Sequence, residues 1–142
     1  GLILVSRGFT EMNATASPVY HPPGWLGGVA SLLMVAVFPL LVAAYFPGTI
    51  KTRVRHPMLL ATMIWALAHL LSSGTVAGTL LFGIFLVWAA ADWVSLERRP
   101  QRQIPGAPES SYNDLIAVLA GLIIYGIFLF YLHEKLLGIA LL

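Results

Sequence analysis

The sequence contains no cysteine, and only 10% of its 142 residues are charged. The first absence excludes disulfides, thiolate metal sites and cysteine nucleophiles. The scarcity of charge, with 58% hydrophobic residues and a mean hydropathy of +0.85, leaves more apolar side chain than the core of a soluble domain this size requires. A net charge of only +2 gives no indication of nucleic-acid binding. We therefore expect an integral membrane protein surrounded by lipid.

Long apolar segments make up most of the chain and predict its architecture. A bilayer core about 30 Å thick is crossed by roughly 20 apolar helical residues. The pattern predicts an all-α, polytopic transmembrane bundle in a single domain over residues 1–142, with four complete helices at residues 24–46, 57–73, 75–94 and 114–134. Residues 1–9 look like the tail of a further helix, and because the first residue is Gly rather than Met, we expect the chain to be incomplete at its N-terminus. Asn113 and Asp114 are expected to cap the last helix.

Basic residues are concentrated in two loops, 47–56 and 95–113, which share one side of the predicted membrane. Six of the eight lysines and arginines lie there: Lys51, Arg53, Arg55, Arg98, Arg99 and Arg102. Loops on the cytoplasmic side of membrane proteins carry an excess of such residues. The pattern therefore predicts that both loops are cytoplasmic.

Two histidines are candidates for a buried site. His69 belongs to a polar stripe with Trp65 and Ser72, which should face the bundle interior because polar groups are costly in lipid. At 1.5 Å per residue, His69 and His133 lie about 20 Å and about 28 Å from the cytoplasmic ends of their helices, at similar heights. Gly121, on the predicted face of His133, would allow close helix packing. Two facing imidazoles could ligate a haem iron or another metal. Alternatively, His69 only hydrogen-bonds to a neighbouring helix and His133 is solvated at the interface.

A basic corner forms at the predicted start of the second complete helix. Arg53, Arg55 and His56, with the free N–H groups of the helix that begins at Pro57, favour an anion such as a lipid phosphate, a haem propionate or a cofactor carboxylate. The alternative is an ordinary basic loop that contacts anionic lipid. Asp92, near the same end of the neighbouring helix, is expected to form a structural ion pair with Arg55 or His56.

These residues resemble the NnrU family of bacterial membrane proteins over about Pro22 to Gly138. The resemblance is carried by Gly48-Thr-Ile-Lys51, Arg55-His56-Pro57-Met58-Leu59, Trp65-Ala-Leu-Ala-His69-Leu70, Leu81-Phe82-Gly83 and Asn113-Asp114-Leu115. It implies a bacterial inner-membrane protein linked to denitrification and nitric oxide metabolism. The family's relative, the zeta-carotene isomerase, is a haem b enzyme that isomerises a cis double bond of a carotenoid. The resemblance thus also implies haem b and a carotenoid or other apolar ligand.

Carried over residue by residue, the resemblance makes His69 an axial haem ligand. The family normally begins with a further helix that bears a histidine, and this helix could supply the second ligand. Within the present sequence, His133 is the candidate for that position. Arg55 and His56 would then hold the end of the motif or bind an anionic group there.

Two alternative functions remain. Membrane methyltransferases of the isoprenylcysteine and phospholipid type also use an Arg-His-Pro segment at a helix start, where it helps to hold S-adenosylmethionine. Their Glu-rich motif is matched only poorly by Glu97-Arg98-Arg99-Pro100. In the other alternative, the chain is a non-catalytic membrane subunit or assembly factor whose polar stripes pack against a membrane-protein partner.

Overall fold

The computed structural model describes residues 2–15, 17–100 and 105–137, and this part of the chain is built from helices. They are α1 (Leu2–Thr15), α2 (Trp25–Ala43), α3 (Thr49–Val54), α4 (Pro57–Ser73), α5 (Val76–Glu97), α6 (Asn113–Ile127) and α7 (His133–Leu137). A π-helical turn, Phe128–Leu132, joins α6 to α7 without a break. The predicted all-α class is confirmed.

Several helices are long and apolar enough to cross a bilayer. Within the described residues, α2, α5 and the continuous helix Asn113–Lys135 meet this condition, and α4 is an apolar helix of 17 residues. The small residues Ala43, Ala61 and Ala117 are fully buried between helices, whereas large side chains such as those of Leu32 and Ile84 are exposed. Small residues at helix interfaces and large apolar residues on the outside are what a lipid solvent favours. The chain is a polytopic membrane protein.

The helix bounds differ from the predicted ones at several places, and α2, for example, ends at Ala43 rather than at residue 46. α1 continues to Thr15, beyond the predicted end at residue 9, and its polar last turn is held by a 2.7 Å hydrogen bond from the Thr75 hydroxyl to Asn13 Oδ1. α5 runs to Glu97, almost a turn past residue 94. The predicted loop 47–56 contains the short helix α3, from which Lys51 Nζ donates to the carbonyl oxygen of Ala44 at 2.8 Å. Residue 1, which the sequence places in the tail of this N-terminal helix, lies outside the described residues.

Helix α2 is the centre of the bundle and packs against α4 on one side and α6 on the other. α4 also packs against α5, and α1 lies against α5 and α7. The α2–α6 contact depends on Gly121, where a Cβ atom would collide with the backbone of Pro39. Gly121 thus allows the close helix approach that the sequence predicts.

One end of the bundle, which we call the histidine end, comprises the α4–α5 turn, residues 17–24 and α7. Gly74 ends α4 with φ +60°, a conformation that glycine adopts at no steric cost. The Tyr20 hydroxyl donates to the carbonyl oxygens of Leu70 and Leu71. These bonds satisfy carbonyls that the end of α4 leaves without intrahelical partners.

The opposite end, which we call the arginine end, comprises α3, the start of α4, the end of α5 and the start of α6. Here the Asp114 carboxylate accepts backbone hydrogen bonds from Thr49 (2.8 Å) and Ile50 (3.0 Å). Asn113 Nδ2 donates to the carbonyl oxygens of Pro47 and Pro108. The prediction that these two side chains cap their own helix is wrong, because Asp114 ties α6 to α3 and Asn113 ties it to the preceding loops.

Candidate functional site

The His69 side chain is held in one orientation by its own helix. Its Nδ1 lies 2.8 Å from the carbonyl oxygen of Trp65, one turn earlier in α4. Because a carbonyl oxygen can only accept, Nδ1 must carry the proton, which leaves the lone pair on Nε2. Histidines that bind metals use this arrangement, in which one ring nitrogen donates to a fixed acceptor and the other faces the metal.

Aromatic rings surround His69. The Phe82 ring lies 4.6 Å from the imidazole, centroid to centroid, and the Trp65 ring lies at 5.1 Å. Phe82 is 5% exposed, and on its other side it contacts Phe9 of α1 at 5.9 Å. The imidazole is thus enclosed by rings from α4 and α5, with α1 as a further layer.

His133 comes directly after the π-helical turn and is 6% exposed. The Phe128 ring, at the start of that turn, lies 5.9 Å from the His133 imidazole. A π-turn inserts one extra residue into a helix and rotates the next residues about the helix axis by about 100°, and such turns are frequent at functional sites. The turn therefore sets the direction of His133, and no feature of the sequence had indicated it.

The structure brings the two predicted histidines together at the histidine end. His133 is near enough to His69 to act on it electrostatically. Of the two alternatives to ligation, hydrogen bonding of His69 to a neighbouring helix is not what is found, because its acceptor belongs to α4 itself. His133 is buried rather than solvated.

The donor set of this site fits a haem iron better than a bare metal ion. Within the described part of the chain there is no cluster of three or more histidine and carboxylate side chains that could hold a metal. Two imidazoles alone suffice for a haem iron, because the macrocycle supplies the remaining ligands. The fixed tautomer of His69 leaves Nε2 as the atom that would bind.

An apolar groove lies on the other side of Trp65. It has a volume of about 280 Å³ and is lined by Met34, Val37, Phe38, Leu41, Ala61, Thr62, Trp65, Phe85 and Phe128. Two of these rings also contact a histidine, since Trp65 packs against His69 and Phe128 against His133. Small-molecule pockets commonly measure about 300–1,000 Å³. The groove could therefore hold part of an elongated apolar molecule beside the histidines.

The basic corner at the arginine end contains an acidic partner other than the expected Asp92. Arg55 Nη1 lies 2.6 Å from Glu97 Oε2, and His56 Nε2 lies 3.7 Å from Glu97 Oε1. The expected pairing with Asp92 is wrong, because the extended end of α5 places Glu97 there instead. The Trp93 ring packs against the edge of His56 with centroids 5.4 Å apart.

The other cations of the arginine end are exposed or engaged elsewhere. Arg53, in the last turn of α3, is exposed and acts electrostatically on Asp114. Arg98 and Arg99 are also exposed, and Arg102 lies outside the described residues. Arg55 and His56 therefore form the compact part of the corner, and Arg53 is a neighbour rather than a member. His56 and His69 are separated by about 20 Å along α4, so the corner and the histidine pair are distinct sites.

Comparison with protein-family models gives a match to the NnrU protein model over residues 1–141. No curated protein and no solved structure matches the chain.

Proposed function

Because the chain belongs to the NnrU protein family, we propose that it is a membrane haem protein in which His69 and His133 would hold haem b. The observation that carries this proposal is the geometry of His69, whose Nδ1 is bound to the Trp65 carbonyl and whose Nε2 keeps its lone pair. The burial of His133 nearby supports it.

The surrounding side chains would prepare the site for such a group. The Trp65 carbonyl orients the His69 imidazole and makes its Nε2 more basic. Phe82 packs against the imidazole and Phe9 packs against Phe82, so apolar side chains cover part of the His69 ring. When bound, haem b supplies an iron centre for redox chemistry on nitrogen oxides or for isomerisation of a double bond. A carotenoid or other apolar substrate could enter the groove beside Trp65.

The proposed location is the inner membrane of a bacterium, with loops 47–56 and 95–113 in the cytoplasm. The concentration of exposed arginines at the arginine end supports this orientation. The histidine end then faces the periplasm.

Absorption spectroscopy of the purified protein tests the haem proposal. We expect a Soret band that is lost in His69→Ala and shifted in His133→Ala. His21→Ala is the matched control, since His21 is exposed and should leave the spectrum unchanged. Wild-type protein without a Soret band and without iron, even after haem supplementation, would refute the proposal and favour a non-catalytic membrane subunit with a protein partner.

Methyl transfer is the second candidate function, and one contact favours it. The carboxylate of Glu97 meets Arg55 and approaches His56, so the Arg-His-Pro segment lies beside the poorly matched Glu97 segment. Calorimetric titration with S-adenosylmethionine tests this candidate. Binding by the wild type that is lost in Arg55→Gln would favour it, whereas no heat of binding would exclude it.

A further inference from the structure

Arg55 has a backbone conformation that L-residues rarely adopt. Its φ is 62° and its ψ is −48°, and among the described residues it is the one non-glycine residue with positive φ. Such strain is retained where the surrounding structure enforces it, and it is common at binding sites. Glycine would take this conformation without strain. An arginine at this position therefore indicates a use for its guanidinium group.

The present partner of Arg55 is easily displaced. The Arg55 and Glu97 side chains are 51% and 34% exposed, and ion pairs exposed to this degree contribute little to stability. The guanidinium still offers further N–H donors in a planar fork that matches carboxylate and phosphate oxygens. An external anion at this position would compete with Glu97 on nearly equal terms.

His56 provides a second partner for the displaced carboxylate. Its Nε2 is buried and has no hydrogen-bond partner, and Glu97 Oε1 lies 3.7 Å away. A buried polar atom without a partner is unfavourable. A movement of about 1 Å by Glu97 would bring the two atoms within hydrogen-bond distance. Glu97 therefore lies between the Arg55 guanidinium and His56 Nε2, and in this structure it accepts a hydrogen bond from Arg55 only.

The setting of the corner identifies the kind of anion. Arg98 and Arg99 come directly after Glu97 and are exposed, so the corner has a positive surround. It lies at the end of the apolar helices α4 and α5, where the headgroup region of a bilayer begins. Trp93, which packs against His56, is a residue type enriched at that depth. Lipid phosphates are the anions concentrated there.

We propose that the phosphate of an anionic phospholipid binds Arg55 in place of Glu97, and that Glu97 then accepts a hydrogen bond from His56 Nε2. The exchange leaves each of these groups paired: Arg55 with phosphate and Glu97 with His56. It is independent of haem binding, because the corner lies about 20 Å along α4 from His69.

Native mass spectrometry tests the exchange. The protein in detergent micelles receives equal amounts of phosphatidylglycerol and phosphatidylcholine with identical acyl chains, and the retained lipids are counted. We expect the wild type to retain phosphatidylglycerol preferentially. Arg55→Gln should lower that occupancy about tenfold, because it removes charge-assisted hydrogen bonds. Glu97→Gln should raise it about threefold, because it removes the weak internal competitor.

Matched variants separate this site from general charge attraction. Arg7→Gln and Glu109→Gln make the same charge changes at exposed positions away from the corner and should leave the preference nearly unchanged. An equal loss in Arg7→Gln and Arg55→Gln would overturn the proposal, and so would unchanged occupancy in Glu97→Gln. Arg55-dependent binding of inorganic phosphate or of S-adenosylmethionine, with no lipid preference, would also overturn it and assign the corner to a soluble ligand.

Discussion

The two ends of the bundle hold their polar side chains in different ways. At the histidine end, His69 is oriented by its own helix and enclosed by the rings of Trp65 and Phe82. At the arginine end, Arg55 is exposed, strained in its backbone and paired with a carboxylate from a distant part of the chain. Burial makes the first end a preorganised site, whereas exposure leaves the second able to exchange partners. Substitutions of Phe82 and of Arg55 should therefore change the free energy of unfolding by different amounts and in opposite directions.

The largest effect is expected from Phe82→Ala at the histidine end. Removing a buried phenyl ring leaves a cavity between His69 and Phe9, and we expect a loss of about 3 kcal/mol in the free energy of unfolding. Phe85→Ala is the matched control, since Phe85 is 39% exposed and should cost less than half as much. Unfolding in SDS, followed by circular dichroism, measures both. Equal losses in the free energy of unfolding would show that the aromatic side chains around His69 are no more tightly packed than those that line the groove.

Asp114→Ala is expected to have the next largest effect and to act at the arginine end. It removes the charged acceptor of the Thr49 and Ile50 amides, so the free energy of unfolding should fall and α3 should be held less firmly. Hydrogen exchange of these two amides should accelerate, whereas Glu109→Ala, at an exposed position, should leave their exchange unchanged. Unaltered exchange in Asp114→Ala would mean that α3 is held by other contacts.

Tyr20→Phe tests the clamp on the end of α4. The phenol hydroxyl donates to the Leu70 and Leu71 carbonyl oxygens, so its loss should lower the free energy of unfolding by about 1 kcal/mol. The ring remains, which separates the hydrogen bonds from packing. Tyr112→Phe, at a residue that is 70% exposed, should be neutral by the same SDS titration. A neutral Tyr20→Phe would show that Gly74 and the backbone contacts suffice to end the helix.

Local signals in the sequence were sufficient where local physics decides the structure. Pro57 in the first turn and Gly74 after the last residue bound α4 at the predicted positions. The polar stripe of His69 indicated that its imidazole turns toward the bundle, and the structure places it half-buried against Phe82 of α5. For these features, periodicity and capping chemistry carry the necessary information.

Features that depend on tertiary packing could not be predicted in the same way. Asp114 has the sequence position of an N-cap, yet its carboxylate binds α3, because the fold brings another set of free amides within reach. Glu97 replaces Asp92 as the partner of Arg55 because α5 continues almost one turn further than its apolar run. The π-turn before His133 has no composition signal, since the packing of its neighbours decides between α and π geometry.

The smallest expected change in the free energy of unfolding comes from Arg55→Gly, and it has the opposite sign to the losses described above. Arg55→Gly stabilises the protein by relieving a backbone strain of about 1–3 kcal/mol. It destabilises the protein by removing an exposed ion pair worth about 0–1 kcal/mol and by increasing the entropy of the unfolded chain, at a cost of about 0.5–1 kcal/mol. The net result should be a free energy of unfolding that is unchanged or raised by about 1 kcal/mol. Arg53→Gly, two residues away in α3, should instead lower it by about 1 kcal/mol, because glycine is unfavourable in a helix. If Arg55→Gly keeps or gains stability while phosphatidylglycerol retention falls, the strain at Arg55 serves binding. A loss of more than about 1 kcal/mol would instead show that the Arg55–Glu97 pair holds the fold together, and the contrast between the two ends would fail.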